Sequence, residues 1–277
     1  MKNVTAAVLL ATCLAAQQPH SAVDLVLQRL GNRDAAAADA AMIDLIRGGP
    51  PNLPLLQRAL AAAKEPACRT RIERALALCI VDAPIDNGLK VGLRADAKAV
   101  APGDTVTLTA TVCNVTDRPA ALFLGMSYSG NVLENGLALQ QCDRDGKALA
   151  QGRLGQVGFC GTGAHAIVEV VPPWSTKEFV VAASYRVAPP TEGCIRHDGP
   201  HLAVDYAYLP LQRAADGTLR VRLWWTVDPA VAHRGGEDAA KTSWAGTLVS
   251  NPIELTLRDA EAPRVSGEAP RSLGRAR

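Results

Sequence analysis

The feature that most constrains the fold is a change in the spacing of apolar residues near residue 88. Before this point apolar side chains recur every three or four residues, which is the period of an amphipathic α-helix. After it they alternate with polar neighbours, which is the period of a β-strand with one buried face. The chain therefore predicts a small helical module followed by a larger sheet region.

Four short helices are predicted between residues 21 and 83. The first ends at Gly31-Asn32, and the second, which is rich in alanine, ends at Gly48-Gly49-Pro50-Pro51. Asn52 is expected to cap the third helix, and the fourth runs from Pro66 to about Val81. Because the connections are short, neighbouring helices are expected to be antiparallel.

This stretch resembles a HEAT-like repeat pair of the kind found in exported planctomycete-type proteins. The likeness is carried by the small-residue second helix and by the segments Val26–Leu30, Leu53–Leu60 and Arg69–Leu78. The resemblance implies a scaffold or protein-contact role. It supplies no catalytic residue.

The sheet region is predicted to cover residues 88–258, after a linker at 84–87 and before a disordered tail at 259–277. Its clearest strand follows Pro102-Gly103-Asp104, where apolar residues alternate with four threonines from Thr105 to Val112. Further strands are predicted at Val91–Ala95, Ala120–Leu124, Leu137–Leu139, from Ala148, Ile167–Val171, Phe179–Val187, Leu219–Val227, Leu248–Ser250 and Ile253–Leu257. About eight to ten short strands without helical spacing favour a mainly β fold, an antiparallel β-sandwich. One sandwich and two smaller ones both fit the spacing.

The segments Val100–Val106 and Trp244–Ile253 resemble the opening and closing edges of bacterial immunoglobulin-like modules. The resemblance implies an immunoglobulin-like architecture for the sandwich. The Cys…Trp…Cys spacing of antibody domains is absent, so the resemblance concerns architecture only.

Residues 1–16 are predicted to be a cleavable secretory signal. One lysine precedes an apolar run of about 13 residues, Val4 to Ala16, which is shorter than the roughly 20 residues that span a bilayer. Small residues at Cys13 and Ala15 predict cleavage near Ala15 or Ala16. A lipoprotein signal ending at Cys13 is disfavoured because Thr12 is a poor residue before the lipidated cysteine. The expected address is periplasmic or extracellular.

Removal of Cys13 with the signal leaves an even number of cysteines, for which an oxidising compartment favours disulfides. Cys68 and Cys79 lie on one predicted helix about 16 Å apart, whereas a disulfide needs Cα atoms within about 7 Å. These two are therefore predicted to be buried free thiols. The disulfide candidates are Cys113, Cys142, Cys160 and Cys194, with their connectivity open.

No group of residues identifies a reaction, so neither catalytic residues nor a cofactor are predicted. The nearest approach to a metal site is a segment that holds three soft candidate ligands, Cys194, His197 and His201, with Asp205 as a further candidate just beyond them. Zinc favours Cys and His at such short spacings. A fourth ligand, Cys160 or His165, has to come from a distant part of the chain. A loop held by a disulfide is therefore favoured over a metal site.

Trp224-Trp225 are expected to point to opposite faces of one strand, which places one ring in the core. The other ring could join Trp174 or Trp244 in an exposed aromatic patch suited to a protein or sugar partner. Core packing is the favoured interpretation.

A net charge of +2 and an aromatic content of 4% give no reason to expect a nucleic-acid partner. After the signal, no apolar run reaches membrane length. The function predicted is therefore that of an exported, non-catalytic binding or scaffold protein, with another protein of the envelope or extracellular space as its partner. The alternatives are a metal-dependent hydrolase using Cys194, His197 and His201, and a carbohydrate-binding module using exposed tryptophans.

Overall fold

A computed structural model of the chain describes residues 21–128, 131–134, 137–151, 165–186, 201–204, 207–212, 218–227 and 244–258. Within these residues the four predicted helices are present: α1 (Ala22–Leu30), α2 (Ala35–Arg47), α3 (Leu53–Ala62) and α4 (Pro66–Leu78). The predicted signal (1–16) and tail (259–277) lie outside the described residues. No helix in the described ranges has both the length and the apolar character needed to cross a membrane.

The beginnings of the first two helices follow from their capping residues. Ser21 and Asp24 form a reciprocal capping box at α1, and the Asp34 side chain accepts from the first amides of α2. Asn52 occupies the N-cap position of α3 as expected, but its side chain makes no capping hydrogen bond to that helix. Asn52 ends a short 3₁₀ turn, Pro50–Asn52, and its Nδ2 instead donates to the Leu45 carbonyl at 2.8 Å.

The described strands are β1 (Leu89–Ala95), β2 (Ala99–Val100), β3 (Thr105–Asn114), β4 (Ala120–Tyr128), β5 (Asn131–Glu134), β6 (Leu137–Cys142), β7 (Ala148–Gln151), β8 (His165–Val171), β9 (Ser175–Arg186), β10 (His201–Val204), β11 (Ala207–Pro210), β12 (Thr218–Val227), β13 (Gly246–Val249) and β14 (Ile253–Leu257). They form a five-stranded sheet (β1-β3-β9-β10-β11), a six-stranded sheet (β2-β14-β12-β6-β7, with β13 also beside β12) and a three-stranded sheet (β5-β4-β8). The pairings are antiparallel except that of β14 with β2. Mostly antiparallel sheets therefore dominate the described fold, as predicted.

One buried cluster joins the three sheets. It contains Leu108 and Val112 from β3, Leu122 from β4, and Leu223 and Trp225 from β12. The alternation predicted for β3 explains this placement, because Val106, Leu108, Ala110 and Val112 leave one face of the strand.

The opposite face of β3 was expected to be open to solvent, yet Thr109 and Thr111 are buried. Arg94 of β1 lies beside Thr109, and Glu178 of β9 lies beside Thr111. The two charged side chains pair at 3.2 Å, so their ion pair spans the threonines between them.

Residues 84–87, predicted as a linker, are hydrogen-bonded into the sheet region. Asp86 accepts from the Thr247 amide at 2.8 Å, and Asn87 Nδ2 donates to the Ala245 carbonyl at 2.9 Å. The Trp244 indole N–H donates to the Asn87 carbonyl at 3.0 Å. The end of this segment that leads into the sheets is therefore fixed by hydrogen bonds to residues 244–247.

The helical module packs on the outer face of the five-stranded sheet. Its apolar core, which includes Leu30, Ile46 and Ile72, also contains Cys113 and Val115 from the end of β3. The helices and the sheets consequently share one continuous buried boundary.

Candidate functional site

A buried lysine lies at this boundary. On β1, Leu89, Val91 and Leu93 face the core of the sheets, so Lys90 leaves the opposite face, toward the helices. Lys90 stands directly opposite Cys113 in the register of β1 and β3. Opposed residues of an antiparallel pair have Cα atoms about 5 Å apart and side chains on the same face. Lys90 and Cys113 therefore enter the junction side by side.

The Lys90 side chain is 0% exposed and reaches two backbone carbonyls. Its Nζ donates to the Ile46 carbonyl at 3.1 Å and to the Val81 carbonyl at 2.8 Å. Ile46 lies in the last turn of α2, where the helix dipole favours a cation. Val81 belongs to the connection between α4 and β1. One amine thus joins three segments that are separate in the sequence.

Two buried thiols lie near enough to this amine to affect its pKa. Cys79 follows α4 directly and its Sγ lies 3.3 Å from the Leu45 carbonyl, next in sequence to the Ile46 carbonyl that accepts from Lys90. Cys113 is completely buried in the same cluster. The Lys90–Cys79–Cys113 group is called the junction cluster below.

Burial controls the ionisation of the junction cluster. It raises the pKa of Cys79 and of Cys113 to about 11 each, although the nearby charge of Lys90 acts in the opposite direction. Burial also lowers the pKa of Lys90, while the nearby Cys113, Cys79 and Asp82 act to raise it. Both thiols therefore stay protonated near neutral pH, which makes them poor nucleophiles in the folded protein.

The cluster is suited to holding the junction together. Lys90 bonds to main-chain carbonyls and meets neutral thiols, and a buried donor of this kind stabilises the partners that it satisfies. Catalytic residues need access to a substrate, which full burial denies to these three side chains.

The sequence did not single out Lys90, because its place in an alternating strand predicts a solvent-facing side chain. Lys90 is buried because the helical module covers this face of the sheet. The pattern of β1 alone does not show which face the helices cover. The sequence does single out Cys79 and Cys113, the first as a buried free thiol and the second as a disulfide candidate.

The predicted disulfide partners are only partly described. Cys113 and Cys142 are buried free thiols in this structure, and they lie in different sheets. Cys113 belongs to the junction cluster, whereas the Sγ of Cys142 lies 3.8 Å from the Arg220 carbonyl of β12. A bond between these two is therefore not formed. Cys160 and Cys194 lie outside the described residues.

The predicted metal loop also lies largely outside the described residues, which exclude Cys194, His197 and Asp205. His201 begins β10, of which the backbone pairing with β9 is described. Among the residues that the structure does describe, no three or more His, Cys, Asp or Glu side chains come together as potential metal ligands.

The tryptophans divide between core and surface. Trp225 is 3% exposed and meets Phe179 edge-on at 5.9 Å, whereas Trp224 leaves the other face of β12 under the Arg222 guanidinium, also at 5.9 Å. Trp174 packs against the helical core and Trp244 against the core of the sheets. These four rings, all within the described part of the chain, do not form an exposed row.

Comparison with known proteins places the chain in no family: no family model and no curated protein matches it. Among solved structures, it is similar to the sporulation control protein Spo0M from Bacillus subtilis, with a TM-score of 0.28 and 11% identity over 64% of this chain and 51% of that one. It is also similar to the alkylpurine DNA glycosylase AlkC from Pseudomonas fluorescens, bound to DNA containing an abasic site analogue. There the TM-score is 0.26 and the identity 10%, over 84% of this chain and 51% of that one. The chain thus spans about half the length of each of these two structures.

Proposed function

We propose that the protein is an exported, non-catalytic binding or scaffold protein that presents helical and β-sheet surfaces to another protein of the envelope or extracellular space. The observation that carries this proposal is the junction itself. A cation, two thiols and apolar side chains from both parts are buried between the helices and the five-stranded sheet. This burial fixes the orientation of one surface relative to the other, as a scaffold requires.

Exposed apolar side chains on both parts support a contact role. Ile80 beside the junction is 55% exposed, and Val180 on the outer face of β9 is 70% exposed. Val170 on β8 is 49% exposed. Because β-branched side chains on a sheet surface add apolar contact area with little loss of rotamer entropy, they suit a protein partner.

We also infer that the sheets form an immunoglobulin-like β-sandwich. The five-stranded and six-stranded sheets contribute opposed apolar faces to one cluster, which is the packing that such a sandwich uses. The short terminal strand β14 begins after Pro252 and lies beside the two-residue strand β2 near the edge of its sheet.

Site-specific photo-crosslinking in the source cell tests the binding role. A photoreactive amino acid is placed at Ile80 or at Val180, with Arg144, exposed in the β6–β7 hairpin turn, as the matched control position. We expect a protein adduct of defined mass from Ile80 or Val180 and none from Arg144. Absence of adducts from both test positions, in cells where the protein is folded, contradicts the proposal.

The address is tested separately by the N-terminal sequence of the protein isolated from the envelope fraction. Cleavage near Ala15 or Ala16 is expected. A protein that keeps Met1 and fractionates with the cytoplasm contradicts export. The crosslinking result would still decide whether the protein binds a partner.

A further inference from the structure

We propose that Cys79 and Cys113 are the two halves of a disulfide that links the helical module to the five-stranded sheet in the oxidised protein. The presence of a cellular oxidant rests on the exported address proposed above. The choice of partners rests on the junction cluster alone.

Both thiols are free in this structure, and they enter the same buried cluster from opposite sides of the junction. Cys113 enters from β3 beside Lys90, and Cys79 enters from the end of α4. Both are 0% exposed and both belong to the helical core cluster. After burial and the opposing charge of Lys90, a charge on Cys79 also contributes to the raised pKa of Cys113.

The other described thiols lie elsewhere. Cys68 is near the start of α4, with its Sγ 3.8 Å from the Leu27 carbonyl of α1. Eleven residues of helix separate it from Cys79, about 16 Å. Cys142 belongs to the six-stranded sheet. Within the described residues, Cys79 and Cys113 are therefore the pair that the fold favours.

The reaction is an ordinary thiol–disulfide exchange with a low-molecular-weight disulfide such as oxidised glutathione. One cysteine thiolate attacks the oxidant, forming a mixed disulfide and releasing one glutathione thiolate. The second cysteine thiolate attacks the protein sulfur of the mixed disulfide and releases the second glutathione. Two protein thiols lose two electrons and two protons, and one oxidised glutathione becomes two reduced molecules.

Burial determines when this bond can form. In the folded protein the thiols are protonated and shielded, so exchange with an oxidant is slow. During folding, before the helices dock, the same thiols are accessible. The bond is therefore expected to form on refolding in a glutathione buffer and to form poorly when the folded, reduced protein meets the same buffer.

Peptide mapping gives the decisive readout. The full chain is refolded with reduced and oxidised glutathione, alkylated in denaturant and digested without reduction. Trypsin alone leaves Cys113 and Cys142 on one peptide, because Arg118 precedes a proline, so a glutamate-specific protease is added to cleave after Glu134. We expect peptide 75–90 joined to peptide 99–134. Alkylation of either cysteine, or its linkage to another cysteine, overturns the proposal.

Thermal unfolding of variants provides the second measurement. The bond closes a loop of about 35 residues, for which the chain-entropy model gives a rise in melting temperature on the order of 10 °C. Oxidised wild type should lose this increment on reduction. Cys79→Ser and Cys113→Ser should show no redox-dependent shift, whereas the matched control Cys68→Ser should keep it. A shift that persists in Cys79→Ser contradicts the pairing, and if that variant does not fold the peptide map still decides.

The disulfide experiment and the photo-crosslinking experiment can fail independently of each other. Refolding and mapping use purified protein, so failure there removes the disulfide and leaves the binding role untouched. A failure of photo-crosslinking removes the binding role and leaves the peptide map unchanged.

Discussion

Lys90 lies where α2, the α4–β1 connection and β1 meet. Its ammonium group donates to the Ile46 and Val81 carbonyls, and the Ile46 carbonyl also accepts from the Gly49 amide at 3.1 Å. A buried charge is costly to desolvate, but removing the donor takes from the Val81 carbonyl the hydrogen bond that satisfies it, at about 1–3 kcal/mol. We expect this loss, together with that of the second bond to Ile46, to outweigh the relief of desolvation.

Replacement of Lys90 by methionine therefore destabilises the protein. Lys90→Met keeps a long flexible stem but removes the donor, and we expect the free energy of unfolding to fall by about 2 kcal/mol in urea denaturation. Lys98→Met, at an exposed position of the same sheet region, is the control and should change it by less than about 0.5 kcal/mol. A Lys90→Met protein as stable as the wild type shows that desolvation of the amine cancels its hydrogen bonds.

The thiols of the junction cluster predict a pH dependence in reducing buffer. Their pKa values, about 11 in the folded protein, lie above those in the unfolded chain, so the folded state holds more protons between about pH 9 and 11. Stability must therefore fall as pH rises through this window, by up to about 1.4 kcal/mol per pH unit for each thiol. Lys90, with its lowered pKa, acts in the opposite direction, but one amine opposes two thiols.

Urea denaturation at several pH values checks this dependence. In Cys79→Ser and in Cys113→Ser the decline above pH 9 should be shallower than in the wild type. An equal slope in all three proteins would show that these thiols do not titrate across the folding transition.

At the scale of elements, β1 and the α4–β1 connection approach each other closely because Gly92 has no side chain. A Cβ at Gly92 would lie 2.9 Å from Cγ2 of Val81 and 3.1 Å from its Cγ1. Val81 is buried and stiff at χ1, so it cannot easily move aside. The glycine thus permits the contact that brings the Val81 carbonyl to Lys90.

A double-mutant cycle tests this close approach. Gly92→Ala should reduce the free energy of unfolding by about 1–3 kcal/mol, as overpacking does. In a Val81→Ala background the two clashing methyl groups are gone, and the same substitution should cost clearly less. Equal costs of Gly92→Ala in both backgrounds would mean that the strain arises elsewhere.

Local patterns predicted most elements, because each depends on residues near in sequence. The four helices follow from their apolar spacing, with glycine at the ends of α1 and α2, and β3 and β12 follow from alternation. The sequence could not predict which face of β1 the helices cover. That choice depends on the Cys113 and Val115 side chains at the end of β3 and on the space above Gly92. These contacts join residues far apart in the chain.

The same limit applies to the candidate site. Cys68 and Cys79 are buried free thiols in the structure, as their spacing on one helix predicts. Lys90 has the pattern of a surface residue, yet it is buried. Its burial beside Cys113 does not follow from the pattern of the helical module or of the sheet region alone, because the surroundings of these residues are set where the two parts meet.

At the scale of the whole molecule, we expect the shared junction to make the helical module and the three sheets unfold as one cooperative unit. If the helices separated from the sheet, the Ile46 and Val81 carbonyls would lose the Lys90 amine. Cys79, Cys113 and the apolar residues of the helical core would become exposed to solvent. The segment 84–87 adds hydrogen bonds to Ala245, Trp244 and Thr247, which lie far along the chain. Partial unfolding at the junction is therefore expected to disrupt both parts together.

Differential scanning calorimetry of the reduced full chain tests this central claim most directly. The account predicts a single transition whose calorimetric enthalpy equals its van't Hoff enthalpy. Two resolved transitions, one of which vanishes when residues 21–83 are removed while the other keeps its midpoint, would contradict it.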